Sequence, residues 1–196
     1  MPRPLYKLLL FSALAGMFSA CAAPNKPAGL IKPAYFNLEE VIDNQVKLLT
    51  AQRAGAEKTN LENGDPKEKK TVKQINWQRE LEMFRQAAIN RPAWRNEFSA
   101  DSTVSDTGNK TITYRRVPGS DAPVEYLQVS FEGENLRSAS AKLSTDNMLY
   151  STSKVLEMQF ANTSEGQKLR QYSVNGSQKM VLADALQYSL VATVLP

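Results

Sequence analysis

Three rhythms of apolar and polar residues follow one another along the chain. The first is a continuous apolar run from Leu8 to Phe18, broken only by small residues such as Ser12 and Gly16. A helix needs about 20 apolar residues to cross a bilayer, so this run is too short to be a span. The second rhythm has the helical period: Leu38, Val41, Ile42, Leu48 and Leu49 form one stripe, with Val46 beside them. Asn37 stands at its start with Glu40 three positions on, as a capping box requires, and the stripe fades at Ala54-Gly55. This predicts a helix over about 37–54. The stretch 56–70 is charged and amide-rich and contains Gly64 and Pro66, which predicts a mobile loop. A second helix is predicted over about 71–90, with Val72, Ile75, Leu81, Phe84 and Ala88 on one side and Pro92 ending it. Trp77, Leu81 and Phe84 lie four and three residues apart, a stripe that belongs either to the core or to the wall of an apolar ligand site.

From Glu97 the period changes to two, the signature of strands. Phe98, Ala100 and Val104 alternate before the polar turn 106–109. Ile112 and Tyr114 share a face in the next run, which ends at Pro118-Gly119. Leu127, Val129 and Phe131 follow, then a turn at 132–135. The run 137–143 is a weaker strand built of small residues, and Asp146-Asn147 leads into a strand where Leu156, Met158 and Phe160 point together. Beyond a loop at 162–166, Tyr172 and Val174 mark a further strand. Asn175-Gly176 there predicts a type I′ hairpin, because both residues accept positive φ. A return strand over Met180 to Leu182 and a last one holding Tyr188, Leu190, Ala192 and Val194 complete the series. The expected fold is α+β: two N-terminal helices packed on a twisted antiparallel meander of seven or eight strands, in one domain over residues 35–196.

Composition narrows the chemistry. The chain has no histidine and one cysteine, which removes the commonest general base, the Ser-His-acid triad, and the usual zinc ligands. Glycine loops for phosphates or dinucleotides are absent from the sequence, and so is a nucleophile elbow. Paired carboxylates pass this filter, since glycoside hydrolysis needs only two acids at the right separation. The candidates are Asp101, Asp106, Glu125, Glu132, Glu157 and Asp184, each expected in a loop or on the wet face of a strand. Neither a cofactor nor a metal is called for, and the expectation is a non-enzymatic protein. The formal charge of +4 falls to +2 without Arg3 and Lys7, so it gives no reason to expect nucleic acid as a partner.

The beginning of the chain carries its most specific chemistry. Arg3 and Lys7 precede the apolar run, and Phe18-Ser19-Ala20-Cys21 ends it; these are the parts of an export signal. The ending resembles the lipobox of bacterial lipoproteins, with Phe18 where leucine is commoner. The resemblance implies a signal peptide over 1–20, a diacylglyceryl group on the Cys21 thiol, cleavage before Cys21, and usually acylation (palmitate, for instance) of the new amino terminus. With the sole cysteine so used, no internal disulfide forms. Residues 21–34 read as an extended, lipidated linker rich in small residues and proline. Ala22 instead of Asp implies the outer membrane, with the domain facing the periplasm. The segment from Trp77 to Phe84 and the step Asn90-Arg91-Pro92 resemble small uncharacterised lipoproteins of the Bacteroidota, which bring a compartment and an architecture but no activity.

Two functions follow as expectations. One is a membrane-anchored, non-enzymatic envelope lipoprotein that binds an envelope protein or plays a structural part. The other is a carrier or chaperone for a lipid or other apolar ligand, held between a curved sheet and its covering helices.

Overall fold

The computed structural model describes residues 34–163, 166–181 and 184–196. The signal, Cys21 and the linker before residue 34 lie outside the described residues. Helix α1, Leu38–Ala51, begins as expected: the Asn37 side-chain oxygen accepts from the Glu40 N–H at 3.3 Å, and its amide donates to the Glu40 carboxylate at 3.0 Å. Leu38, Ile42 and Leu49 are buried along one side. The helix closes with a Schellman pair, Ala54 N–H to Leu49 O at 3.0 Å and Arg53 N–H to Thr50 O at 3.1 Å.

The next segment corrects the expected loop at 56–70. It is a hairpin of β1, Ala56–Glu62, and β2, Asp65–Val72. Asn63 at φ 51° and Gly64 at φ 88° form the two-residue connection, a type I′ turn whose twist matches that of the flanking strands. The outer strand, β2, is exposed over Asp65–Thr71, so it shows no apolar alternation. Its edge is blunted by Pro66, Lys67, Lys69 and Lys70.

The helix expected over 71–90 is also corrected, to two single turns. Asn76 caps α2, Trp77–Glu80, by accepting from the Arg79 N–H at 3.0 Å. Leu81 then leaves helical geometry (φ −92°, ψ 2°) before α3, Glu82–Arg85. Ala87, Ala88 and Ile89 are buried in succession, which a regular helix with one wet side does not allow. A 3-10 turn at Pro92–Trp94 leads into the remaining strands. The step Asn90-Arg91-Pro92 has a clear structural role: the Asn90 side chain accepts from the Tyr35 N–H at 2.9 Å and donates to the Tyr35 and Phe36 carbonyls.

Those strands are β3 (Phe98–Val104), β4 (Asn109–Arg116), β5 (Val124–Glu132), β6 (Asn135–Asp146), β7 (Tyr150–Thr163), β8 (Gly166–Met180) and β9 (Leu186–Val194). They pair in sequence as an antiparallel meander, and β1 adds to β9, giving the order β2-β1-β9-β8-β7-β6-β5-β4-β3. Among the described residues the fold is thus predominantly β, an open sheet of nine antiparallel strands with few helices, rather than seven or eight strands under two long ones.

The expected hairpin at Asn175-Gly176 does not form. Both residues lie inside β8, which pairs with β7 on one side and β9 on the other, so Gly176 faces Lys154 and Tyr188. The long partner strands outweigh a local turn preference. Met180 accordingly ends β8 instead of opening a return strand, and Leu182 lies outside the described residues. The Tyr188 ring covers the space that Gly176 leaves empty: a Cβ at that glycine would collide with the ring.

Two measurements check these corrections. Gly64→Ala is expected to cost about 1 kcal/mol in urea unfolding, because alanine is strained at positive φ. Gly176→Val is expected to destabilise the parent clearly but a Tyr188→Ala variant much less, since the strain is a collision with the ring rather than a forced turn. An equal loss in both backgrounds would return the turn to Asn175-Gly176.

Candidate functional site

One face of the sheet takes nearly all the large apolar side chains. Register puts Leu127 and Val129 of β5, Ala139 and Ala141 of β6, Leu156 and Met158 of β7, and Tyr172 and Val174 of β8 on the same side. All of these are buried. On the opposite side the same strands carry Gln128, Ser130, Ser138, Ser140 and Glu157, all partly exposed, and the buried Ser173. The helical segments lie on the apolar side, where a polar residue pins the first of them. Gln45 of α1 is buried, its amide donating to the Gln167 carbonyl at 2.9 Å and its oxygen accepting from the Leu169 N–H at 2.7 Å.

Trp77, Leu81 and Phe84 also lie on this side, each almost wholly buried. Trp77 Nε1 donates to the Ala54 carbonyl at 3.0 Å, and the rings of Trp77 and Phe84 both meet Tyr172 edge-on, at 6.3 and 5.8 Å. Tyr172 reaches up between them and donates to Glu80 Oε1 at 2.7 Å, while Lys58 of β1 donates to Glu80 Oε2 at 2.6 Å. Burial, helped by the Glu80 carboxylate, pushes the Tyr172 hydroxyl far above the ordinary phenol range. A half-buried carboxylate shared by a lysine and a tyrosine locks α2 onto the sheet. The stripe read from the sequence is therefore packed against protein, as core.

Beside it runs an open cleft of about 720 Å³ between the end of α1 and the segment joining β2 to α2. Val46, Leu49, Ile75 and Trp77 give it apolar walls, and the exposed Arg53 and Lys73 are among its lining.

A second surface stands out for the opposite reason. Where Tyr150 of β7, Met180 of β8 and Leu186 and Tyr188 of β9 continue the apolar side of the sheet, the helical segments no longer cover it. Tyr150 pairs with Met180, and the Val181 N–H donates to the Leu149 carbonyl, so the β6–β7 connection stands beside the residue that follows β8. There Met148 is 93% exposed, Leu149 73% and Val181 67%. Among the described residues, every exposed large apolar side chain except Met83 and Val104 belongs to this corner. Single exposed apolar residues are ordinary, whereas a contiguous group marks an interaction site. The corner is preorganised: Asn147 Oδ1 accepts from the Leu149 and Tyr150 N–H groups at 2.9 and 3.1 Å, which fixes the tip that presents Met148 and Leu149.

Three of the candidate acids have partners of their own, and the other three are exposed. Glu125 receives the Lys142 ammonium at 2.8 Å, Glu132 the Arg137 guanidinium at 3.0 Å and Glu157 the Ser173 hydroxyl at 3.3 Å, while Asp101, Asp106 and Asp184 are exposed. The hydrogen bonds from Lys142 and Ser144 hold the Glu125 carboxyl below its ordinary range, the wrong direction for a general acid.

Glu80→Ala is expected to cost about 2–4 kcal/mol in thermal or urea unfolding, because it leaves the Lys58 ammonium and the Tyr172 hydroxyl half-buried without their shared acceptor. Glu80→Gln should recover part of that loss, since its amide oxygen still accepts from one of the two. No protein-family model, no curated protein and no solved structure matches this chain.

Proposed function

We propose that this chain is a membrane-anchored, non-enzymatic envelope lipoprotein that works by binding a partner. The basic start, the short apolar run and the small residues before Cys21 support a signal peptide and a lipid on that thiol. Ala22, by the lipoprotein resemblance, supports the outer membrane with the domain facing the periplasm. The observation that carries the binding role is the exposed corner of Met148, Leu149, Tyr150, Met180, Val181, Leu186 and Tyr188, an apolar surface on a fold whose other apolar side chains are largely covered.

The second reading, a carrier for a lipid or other apolar ligand, rests on the cleft of about 720 Å³ beside α1, whose apolar walls and two nearby cations would suit an amphiphile with an acidic head. Against it stands the use of Trp77, Leu81 and Phe84 as core, which leaves the sheet's apolar side filled where those residues lie.

Two experiments test the proposal. Cells fed labelled palmitate should yield a labelled parent and an unlabelled Cys21→Ser variant; label on the variant would refute the anchor. Native mass spectrometry of protein extracted from membranes should give the mass of the mature chain with its covalent lipid alone. A stoichiometric non-covalent lipid, lost on Leu49→Arg at the cleft wall, would establish the carrier instead.

A further inference from the structure

We infer that the partner of the apolar corner is the phospholipid bilayer itself, so that the domain touches the membrane with its hairpin tips while Cys21 holds it there. This rests on the anchored-lipoprotein reading for the tether, but the corner's own geometry identifies the occupant.

Shape is the first observation. The apolar residues stand at two adjacent strand connections, with Met148 and Leu149 in one and Val181 at the start of the other, joined by the Val181 N–H to Leu149 carbonyl bond. A stable protein interface needs roughly 800 Å² of surface on each partner. A few exposed side chains at the end of a sheet suit insertion into an acyl layer.

Layering is the second. Among the described residues of the two connections, the most exposed apolar side chains, Met148, Leu149 and Val181, are uncharged, with Asp184 following on the second connection. Tyr150 follows directly behind Leu149, and Tyr188 lies further up the same side of the sheet. Tyrosine behind an aliphatic tip is the order a membrane interface selects, since its ring is apolar and its hydroxyl seeks the headgroups. Above it the strands turn to Ser151, Thr152, Ser153, Ser177 and Gln178.

Charge is the third. The charged residues in and beside the two connections are Asp146, Lys179 and Asp184, which sum to −1, with no cluster of lysine or arginine. Attraction to anionic lipid therefore contributes little, and the contact forms by partition of apolar side chains.

Reach is the fourth. Thirteen residue steps separate Cys21 from Ala34, where the described chain begins. At about 3.3–3.6 Å per residue this spans up to roughly 45 Å. The chain enters the sheet beside Phe98, whose N–H donates to the Tyr35 hydroxyl at 3.3 Å. Phe98 starts β3 at the same end of the sheet as the apolar tips, because alternate strands reverse: β4 and β6 end there, β5 and β7 start there, and β8 ends there. From β3 to β8 is five strand spacings, about 24 Å. The tether is long enough to let the tips and the lipid enter one bilayer together.

The test uses the chemistry of Cys21. Once that thiol carries lipid, a cysteine introduced elsewhere is the only one free for labelling. Full-length lipidated Met148→Cys, Val181→Cys and Thr103→Cys proteins, the last at the opposite end of the sheet, are labelled with bimane and reconstituted in phosphatidylcholine vesicles with acyl-chain nitroxides. Labels at 148 and 181 should be quenched several-fold more than the label at 103, equally with and without anionic lipid and at high salt. Leu149→Asp in the Val181→Cys protein should remove that quenching while the protein still floats with the vesicles. Equal quenching at all three positions, or ready disulfide cross-linking between copies through position 148, would overturn the inference, the latter in favour of self-association. Should Cys21 carry no lipid, the anchor fails separately; the same labels, in a Cys21→Ser background mixed with vesicles, still decide whether the tips enter the bilayer.

Discussion

The structure depends on covering the apolar side of a nine-stranded sheet with very little helix. One helix of fourteen residues and two single turns lie on that side, while the apolar register runs the width of the strands. Where cover exists, it is bound by specific contacts rather than by area alone. Gln45 ties α1 to the start of β8, Glu80 ties α2 to β1 and β8 through Lys58 and Tyr172, and Asn90 ties the incoming chain at Tyr35 and Phe36. Buried polar groups of this kind are costly unless each is satisfied, and here they fix which part of the sheet each helical segment occupies.

Where the cover stops, the same alternation continues into solvent. Tyr150, Met180, Leu186 and Tyr188 occupy positions equivalent to those of Leu156, Tyr172 and Val174, but no helix lies on them. The proposed function is thus a consequence of incomplete coverage. A surface that a longer second helix would have buried is presented at the two strand connections, and the lipid tether proposed at Cys21 supplies a bilayer within reach of it.

Much of this was legible in the amino-acid order, and the failures have physical causes. The capping box at Asn37, the stripe on α1 and the alternation of β4 to β7 each express a burial pattern, and the structure has those elements, while β3 forms with only Phe98 buried. Strand β2 was not legible because almost none of its side chains is buried, so its sequence keeps the composition of a loop. The signal for its hairpin was present in Asn63-Gly64, yet the same dipeptide at Asn175-Gly176 is overridden by two long neighbouring strands. In the second helical region, spacing at Trp77, Leu81 and Phe84 fits a helix, but the burial of Ala87, Ala88 and Ile89 in a row does not. The apolar corner escaped detection for a simpler reason. Tyr150, Met180 and Tyr188 look like core positions to any periodicity, and only the extent of the helical cover shows that they are not.

Contact between the uncovered corner and a bilayer can be read from amide hydrogen exchange on the anchored protein. Exchange would be compared on intact vesicles and after proteolytic release of the folded domain by a cut within the linker. Insertion of the tips should slow exchange on the vesicles only in peptides covering 147–150 and 180–186, with the strand cores unchanged. Identical exchange in those peptides, or protection that arises instead along the β3 edge, would show that the corner does not meet the membrane.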